Sequence, residues 1–87
     1  MELYKRIYAL FPSLEMLYDD DGIKAFKATP VSELYQYNLT LGLWIRNNYI
    51  HPAGSILKPL FAANGITQAD DMSSLIVNLF HFYLHTK

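Results

Sequence analysis

Cysteine is absent from the chain, which excludes a disulfide framework, a thiolate nucleophile and any cysteine-based zinc site. Charge is scarce as well. Asp, Glu, Lys and Arg supply 17% of the residues, against about 25% in an ordinary globular domain. No basic run exceeds Lys5-Arg6 and the formal net charge is -1, so the electrostatic footprint of a nucleic-acid-binding surface is missing. No apolar run approaches the roughly 20 residues of a membrane-spanning helix. The stretch Met1 to Arg6 lacks the basic-then-apolar order of an export signal. The expectation is a soluble, cytoplasmic protein with no nucleic-acid or membrane partner.

What the chain does contain is apolar bulk. Of 87 residues, 52% are hydrophobic, among them 7 tyrosines, 5 phenylalanines and 1 tryptophan. That length makes one domain, residues 1–87, near the size at which a single core just suffices without staples. So apolar a composition must be buried in the chain itself or in a partner, and aromatic groups serve both ends.

The hydrophobic period is helical throughout, which predicts an all-α bundle of about five helices, two of them short. Leu3, Tyr4, Ile7, Tyr8, Leu10 and Phe11 mark a first helix over residues 2–11, ended by Pro12. Ser13 opens a short second helix in which Leu14, Met16, Leu17 and Tyr18 face inward. It stops at Asp19-Asp20-Asp21-Gly22, with Gly22 as a left-handed turn residue. Ile23 and Phe26 belong to a helical turn. Thr29 as cap and Pro30 at the first position begin a long helix with Leu34, Tyr37, Leu41, Trp44 and Ile45 along its apolar stripe, ending at Asn47 or Asn48. Gly42, mid-helix, predicts close approach of another helix, and Asn38 is assigned a buried hydrogen bond. Ser55 caps a helix carrying Ile56, Leu57, Leu60 and Phe61, stopped by Asn64-Gly65. After a plug at Ile66, Thr67 or Asp70 caps a last helix with the stripe Met72, Leu75, Ile76, Leu79, Phe80 and Tyr83.

Three constellations carry chemistry. In the first, Trp44, Arg46, Asn47, Asp70 and Asp71 form a structural clasp, with a charge-assisted link from Arg46 to one or both aspartates and the asparagines closing backbone groups nearby. An enzyme using Asp70 and Asp71 as acid and base is disfavoured, because carboxylates that satisfy a helix terminus are poor proton-transfer groups; no catalytic residue is assigned. In the second, Glu15, Asp19, Asp20 and Asp21 gather at a helix C-terminus, where the dipole opposes them. With Tyr18 as an aromatic anchor they are read as a partner-binding patch for a basic surface. An EF-hand is excluded by the missing alternation of oxygen ligands and closing glutamate. In the third, His81 and His85 stand at i, i+4 with no third side-chain ligand, so no metal or other cofactor is assigned.

The segment Gly42-Leu43-Trp44-Ile45-Arg46-Asn47-Asn48, followed after a short helix ending in Gly65-Ile66 by Asp70-Asp71-Met72-Ser73, resembles a family of small bacterial helical domains of uncharacterised function. The likeness covers about Tyr35 to Leu84. It implies a helical fold and a bacterial or phage origin, and brings no activity with it.

The functional expectation is a small non-catalytic protein-binding domain, an immunity or antitoxin-type inhibitor that covers the basic active-site cleft of a bacterial toxin such as a nuclease. A self-associating structural or regulatory module, forming a homodimer through surplus apolar surface, is the second reading. A metal-binding protein or enzyme using Asp70, Asp71, His81 and His85 is the third.

Overall fold

In the computed structural model, which describes residues 2–87, every regular element is helical. The order is α1 (Glu2–Tyr8), α2 (Phe11–Glu15), α3 (Asp20–Ala28), a 3-10 segment (Val31–Tyr37), α4 (Leu41–Ile45) running into a π turn (Arg46–Ile50), α5 (Leu57–Ala63) and α6 (Ala69–Thr86). No strand occurs among the described residues. The all-α expectation holds, while several boundaries move.

Helix α6 is the axis on which the rest packs. α3, the 3-10 segment, α4 and the π turn all lie against it, and α1 closes on α5. The reason is its buried face: Met72, Ser73, Ile76, Val77, Phe80, His81 and Leu84 recur at three and four residues and leave almost no surface exposed. This face is rotated from the predicted stripe, since Leu75, Leu79 and Tyr83 are only half-buried. Phe80 sits at the centre, with ring centroids 5.4 Å from Phe11 and 5.5 Å from Phe26. Those tilted pairs bring α2, α3 and α6 to one point. Burying an aromatic side chain fully contributes about 1.5–3 kcal/mol, so this cluster dominates the packing.

The first predicted helix is two. α1 ends at Tyr8 and α2 begins at Phe11, with Pro12 inside its first turn rather than terminating the helix before it. Proline is tolerated there because the first amides have no intrahelical partner. Ser13 is therefore not a cap. Met16 and Leu17, expected to face inward, are 87% and 40% exposed.

The predicted long helix is interrupted at residues 38–40. Thr29 is the C-cap of α3, where its hydroxyl donates to the Ala25 carbonyl at 2.9 Å, and Pro30 leads into the 3-10 segment. At the break, the Asn38 carbonyl accepts from the Arg46 guanidinium at 3.1 Å. A side chain thus takes the place of the next helical amide, and α4 restarts at Leu41. The helix does not stop at Asn47 or Asn48 but widens into the π turn, in which the His51 amide reaches the Arg46 carbonyl at 2.8 Å. The extra residue per turn delivers both Arg46 and Ile50 to the interior.

The cap and stop signals of α5 read as expected, although Ile56, expected to pack inward, precedes the helix and is 56% exposed. The Ser55 hydroxyl accepts from the Lys58 amide at 3.1 Å. At the other end Ile66 N–H reaches Phe61 O and Gly65 N–H reaches Ala62 O, both at 3.0 Å, with Gly65 at φ 84. That is a Schellman stop.

Candidate functional site

Arg46 is buried, at 6% exposure, and its hydrogen bonds explain how a guanidinium is tolerated there. Nη1 donates to Asn38 Oδ1 at 2.9 Å and to Ser73 Oγ at 2.8 Å, and Nη2 donates to the Asn38 carbonyl. The Ser73 hydroxyl in turn donates a hydrogen bond to the Asp70 carbonyl at 3.1 Å. The chain of donors is complete: no fully buried side-chain nitrogen or oxygen among the described residues lacks a partner. Both Nη1 hydrogens are already committed. Asp70 Oδ1, 3.5 Å away with its side chain 75% exposed, is therefore a weak electrostatic neighbour rather than the main anchor.

The clasp expected from the sequence is thus present with different members. Arg46 and Asp70 meet, but Asn38 and Ser73 do most of the holding. Asp71 is exposed in the first turn of α6, where it complements the helix dipole. Asn47 is exposed, and Asn48 turns back to the Trp44 carbonyl at 2.8 Å. Trp44 is half-buried, edge-on to Tyr49 with centroids 5.5 Å apart. Asn38, assigned a buried hydrogen bond, makes part-buried ones, both to Arg46. Gly42 makes room for the guanidinium rather than for another helix: a Cβ there would stand 3.3 Å from Arg46 Nη1 and 3.3 Å from the Tyr37 carbonyl. Ser73 went unassigned because a serine in a helical stripe carries no mark of burial until its neighbour is known to be Arg46.

The acidic stretch is placed at the opposite end of a helix from the expected one. Asp19 is the N-cap of α3, accepting from the Gly22 amide at 2.8 Å, and Asp20 and Asp21 occupy the first turn. There the dipole favours carboxylates, so these acids help folding. Gly22 is not a left-handed turn residue; its missing Cβ leaves space for Tyr18, whose Cδ1 would lie 3.0 Å from one. Glu15 is drawn away from the group. It accepts from Tyr83 Oη at 3.4 Å and pairs with Lys87, a hydrogen bond that holds the lysine ammonium above its ordinary pKa. Tyr18 is half-buried, and burial first, then neighbouring Tyr37, raise its phenol.

Asp19, Asp20 and Asp21 remain exposed and follow, in the chain, one wall of an apolar depression. Its walls are Leu17 and Tyr18 on one side and Thr40, Leu41 and Trp44 on the other. Sequence periodicity missed this feature because it placed Met16 and Leu17 in the core.

His81 and His85 are brought together against the end of α3. His81 Nε2 lies 2.9 Å from the Thr29 carbonyl, His85 Nε2 lies 2.8 Å from the Lys27 carbonyl, and the two nitrogens are 3.3 Å apart. No group of three or more His, Cys, Asp or Glu side chains suited to a metal occurs among the described residues. Among the described residues no helix is long and apolar enough to cross a membrane.

Comparison with curated proteins and with solved structures finds no match. A family model does match, from residue 5 to residue 84. The match takes in part of α1 and nearly all of the rest, and the chain belongs to the family described as Domain of unknown function (DUF6794).

Proposed function

We propose that the chain is a small non-catalytic protein-binding domain, and more narrowly an immunity-type inhibitor that acts in the bacterial cytoplasm by covering a basic cleft on a toxin such as a nuclease. The observation that carries this reading is the apolar depression between Leu17-Tyr18 and Thr40-Trp44, with exposed Asp19, Asp20 and Asp21 following Tyr18 directly in the chain. An apolar centre with a charged rim is the anatomy of a protein interface. The three acids have one sign, which fits a basic partner and would speed association more than it would add affinity. The polar cluster around Arg46 supports a non-catalytic reading, since the guanidinium is buried and both its Nη1 hydrogens and one on Nη2 are taken up by Asn38 and Ser73.

The three acids need no partner to account for their position, because α3 uses them at its N-terminus. What points to a partner is their exposure directly after Leu17 and Tyr18 in the chain. Glu15 drops out of the proposed contact, and Tyr18 offers one edge of a ring already half-used by the core.

The test is binding to the product of the adjacent gene. The triple change Asp19→Asn, Asp20→Asn and Asp21→Asn keeps a competent N-cap and should slow association several-fold at low salt. Loss of that difference at high salt would support the rim; equal rates at low salt would remove it.

A second reading, self-association, has its own observation. Val31, Tyr35 and Leu39 repeat at four-residue spacing and are 66%, 74% and 75% exposed. A mass that rises with concentration, and returns to that of one chain on Tyr35→Ser with Leu39→Ser, would favour it.

A further inference from the structure

We propose that the end of α3 and the last turns of α6 form a site for a first-row divalent metal ion of the imidazole-preferring class, with zinc as its representative, held by Nε2 of His81 and His85 and by the main-chain carbonyls of Lys27 and Thr29.

Four Lewis-basic atoms stand in series here. The Lys27 carbonyl is 2.8 Å from His85 Nε2, which is 3.3 Å from His81 Nε2, which is 2.9 Å from the Thr29 carbonyl. A neutral imidazole carries one N–H, and its Nε2 holds at most that single proton. Two protons cannot supply three linear hydrogen bonds, so with both rings neutral at least one short contact has no hydrogen of its own. A cation resolves the shortage by accepting a lone pair from every atom in the series. The spacing of the two nitrogens suits it, since nitrogens bound at about 2.0–2.1 Å to a tetrahedral zinc stand roughly 3.3–3.4 Å from each other. The carbonyl oxygens, at 2.8 and 2.9 Å from the nitrogens, would move out by about 0.5 Å as the ion enters.

The carbonyls are free for this use. The last carbonyls of a helix lack intrahelical partners. At the end of α3, that of Ala25 is met by the Thr29 hydroxyl and that of Phe26 by the Thr29 amide, whereas those of Lys27 and Thr29 face the imidazoles. The same helix end carries the negative pole of the dipole, which favours a cation. An ion can also reach the site. His81 is buried at 6% exposure, His85 is exposed, and both line an open depression with Val31, Asn78 and Phe82. Inspection of side chains alone finds only an i, i+4 histidine pair, because two of the ligands are backbone atoms set by the fold. The site is separate from the face assigned to a protein partner, and stands or falls independently of it.

The experiment is calorimetric titration of zinc chloride into the full-length chain near neutral pH, with circular dichroism to follow the fold. One zinc per chain is expected, together with a rise in unfolding temperature. Losing even an outer partner of a metal ligand costs about 10–100-fold in affinity, so His85→Gln should weaken binding at least about tenfold while leaving the helical signal intact. His51→Gln should change nothing. Because replacing buried His81 endangers the fold, wild-type imidazole proton resonances give the second reading: zinc should move those of His81 and His85 together and leave those of His51 in place. No saturable binding, unchanged affinity in His85→Gln, or a shift confined to His51 would each overturn the site.

Discussion

Arg46 Nη1 lies 2.8 Å from the Ser73 hydroxyl, a buried contact between residues 27 apart in the chain. It ties the junction of α4 and the π turn to the first turns of α6, the helix on which the other elements pack. Truncating Arg46→Ala removes three hydrogen bonds at once and leaves the Asn38 and Ser73 acceptors short of donors. The expected cost is about 3 kcal/mol. Asp70→Ala, by contrast, should stay below about 1 kcal/mol, since its carboxylate is largely in water. Urea melts of the two variants separate a hydrogen-bonded anchor from an ion pair; equal losses would contradict the assignment.

Gly42→Ala offers a sharper reading of the same cluster. In an open helix the change would gain about 1 kcal/mol. Here the new methyl group would press on the Tyr37 carbonyl and on Arg46 Nη1, each 3.3 Å from it. We expect stability at or below wild type. A gain of the full propensity would mean that the guanidinium moves aside freely.

Trp44 and Phe80 should differ. Phe80→Ala empties the centre of the aromatic cluster and should cost about 3–5 kcal/mol. Trp44 is half-buried, so Trp44→Ala should cost distinctly less. If the two losses were equal in denaturant melts, Trp44 would belong to the core and not to the proposed binding face.

These contrasts mark where sequence sufficed. The helical class, the Schellman stop at Gly65 and the meeting of Arg46 with Asp70 were legible, because each depends on local spacing or on a charge that must find its opposite. The split at residues 38–40 was not, since it follows from a side chain eight residues later capturing the Asn38 carbonyl. The direction of the acidic stretch was lost for a simpler reason. Asp19 is one residue beyond one helix and the cap of the next, and composition alone does not say which helix an aspartate serves. The histidine site was half visible, its carbonyls being invisible to any side-chain pattern.

The capping role of Asp19 is open to a plain check. Asp19→Ala should lower stability by about 1 kcal/mol, whereas Asp19→Asn should be near neutral, since either amide or carboxylate oxygen can accept from the Gly22 amide. Thermal melts of both variants decide it, and equal losses would deny the cap.

Tyr18 sets an alkaline limit. Its folded-state pKa is raised above 10.0 by burial, so its contribution is fully present below the unfolded value and is lost as pH rises through the folded one. Unfolding temperatures measured above pH of about 10 should therefore fall more steeply in wild type than in Tyr18→Phe. Parallel curves would count against burial of the phenol.

The most direct measurement of the central claim is the association rate between this chain and the product of the adjacent gene, taken at low and high ionic strength. The comparison is wild type against the Asp19, Asp20 and Asp21 to Asn variant, with Leu17→Ser and Trp44→Ala beside it. A protein-binding face at this depression predicts a complex whose formation slows several-fold in the triple variant at low salt only, and whose dissociation quickens in the two apolar variants. A complex formed and released at wild-type rates by all of these variants, or no complex at all, would contradict it.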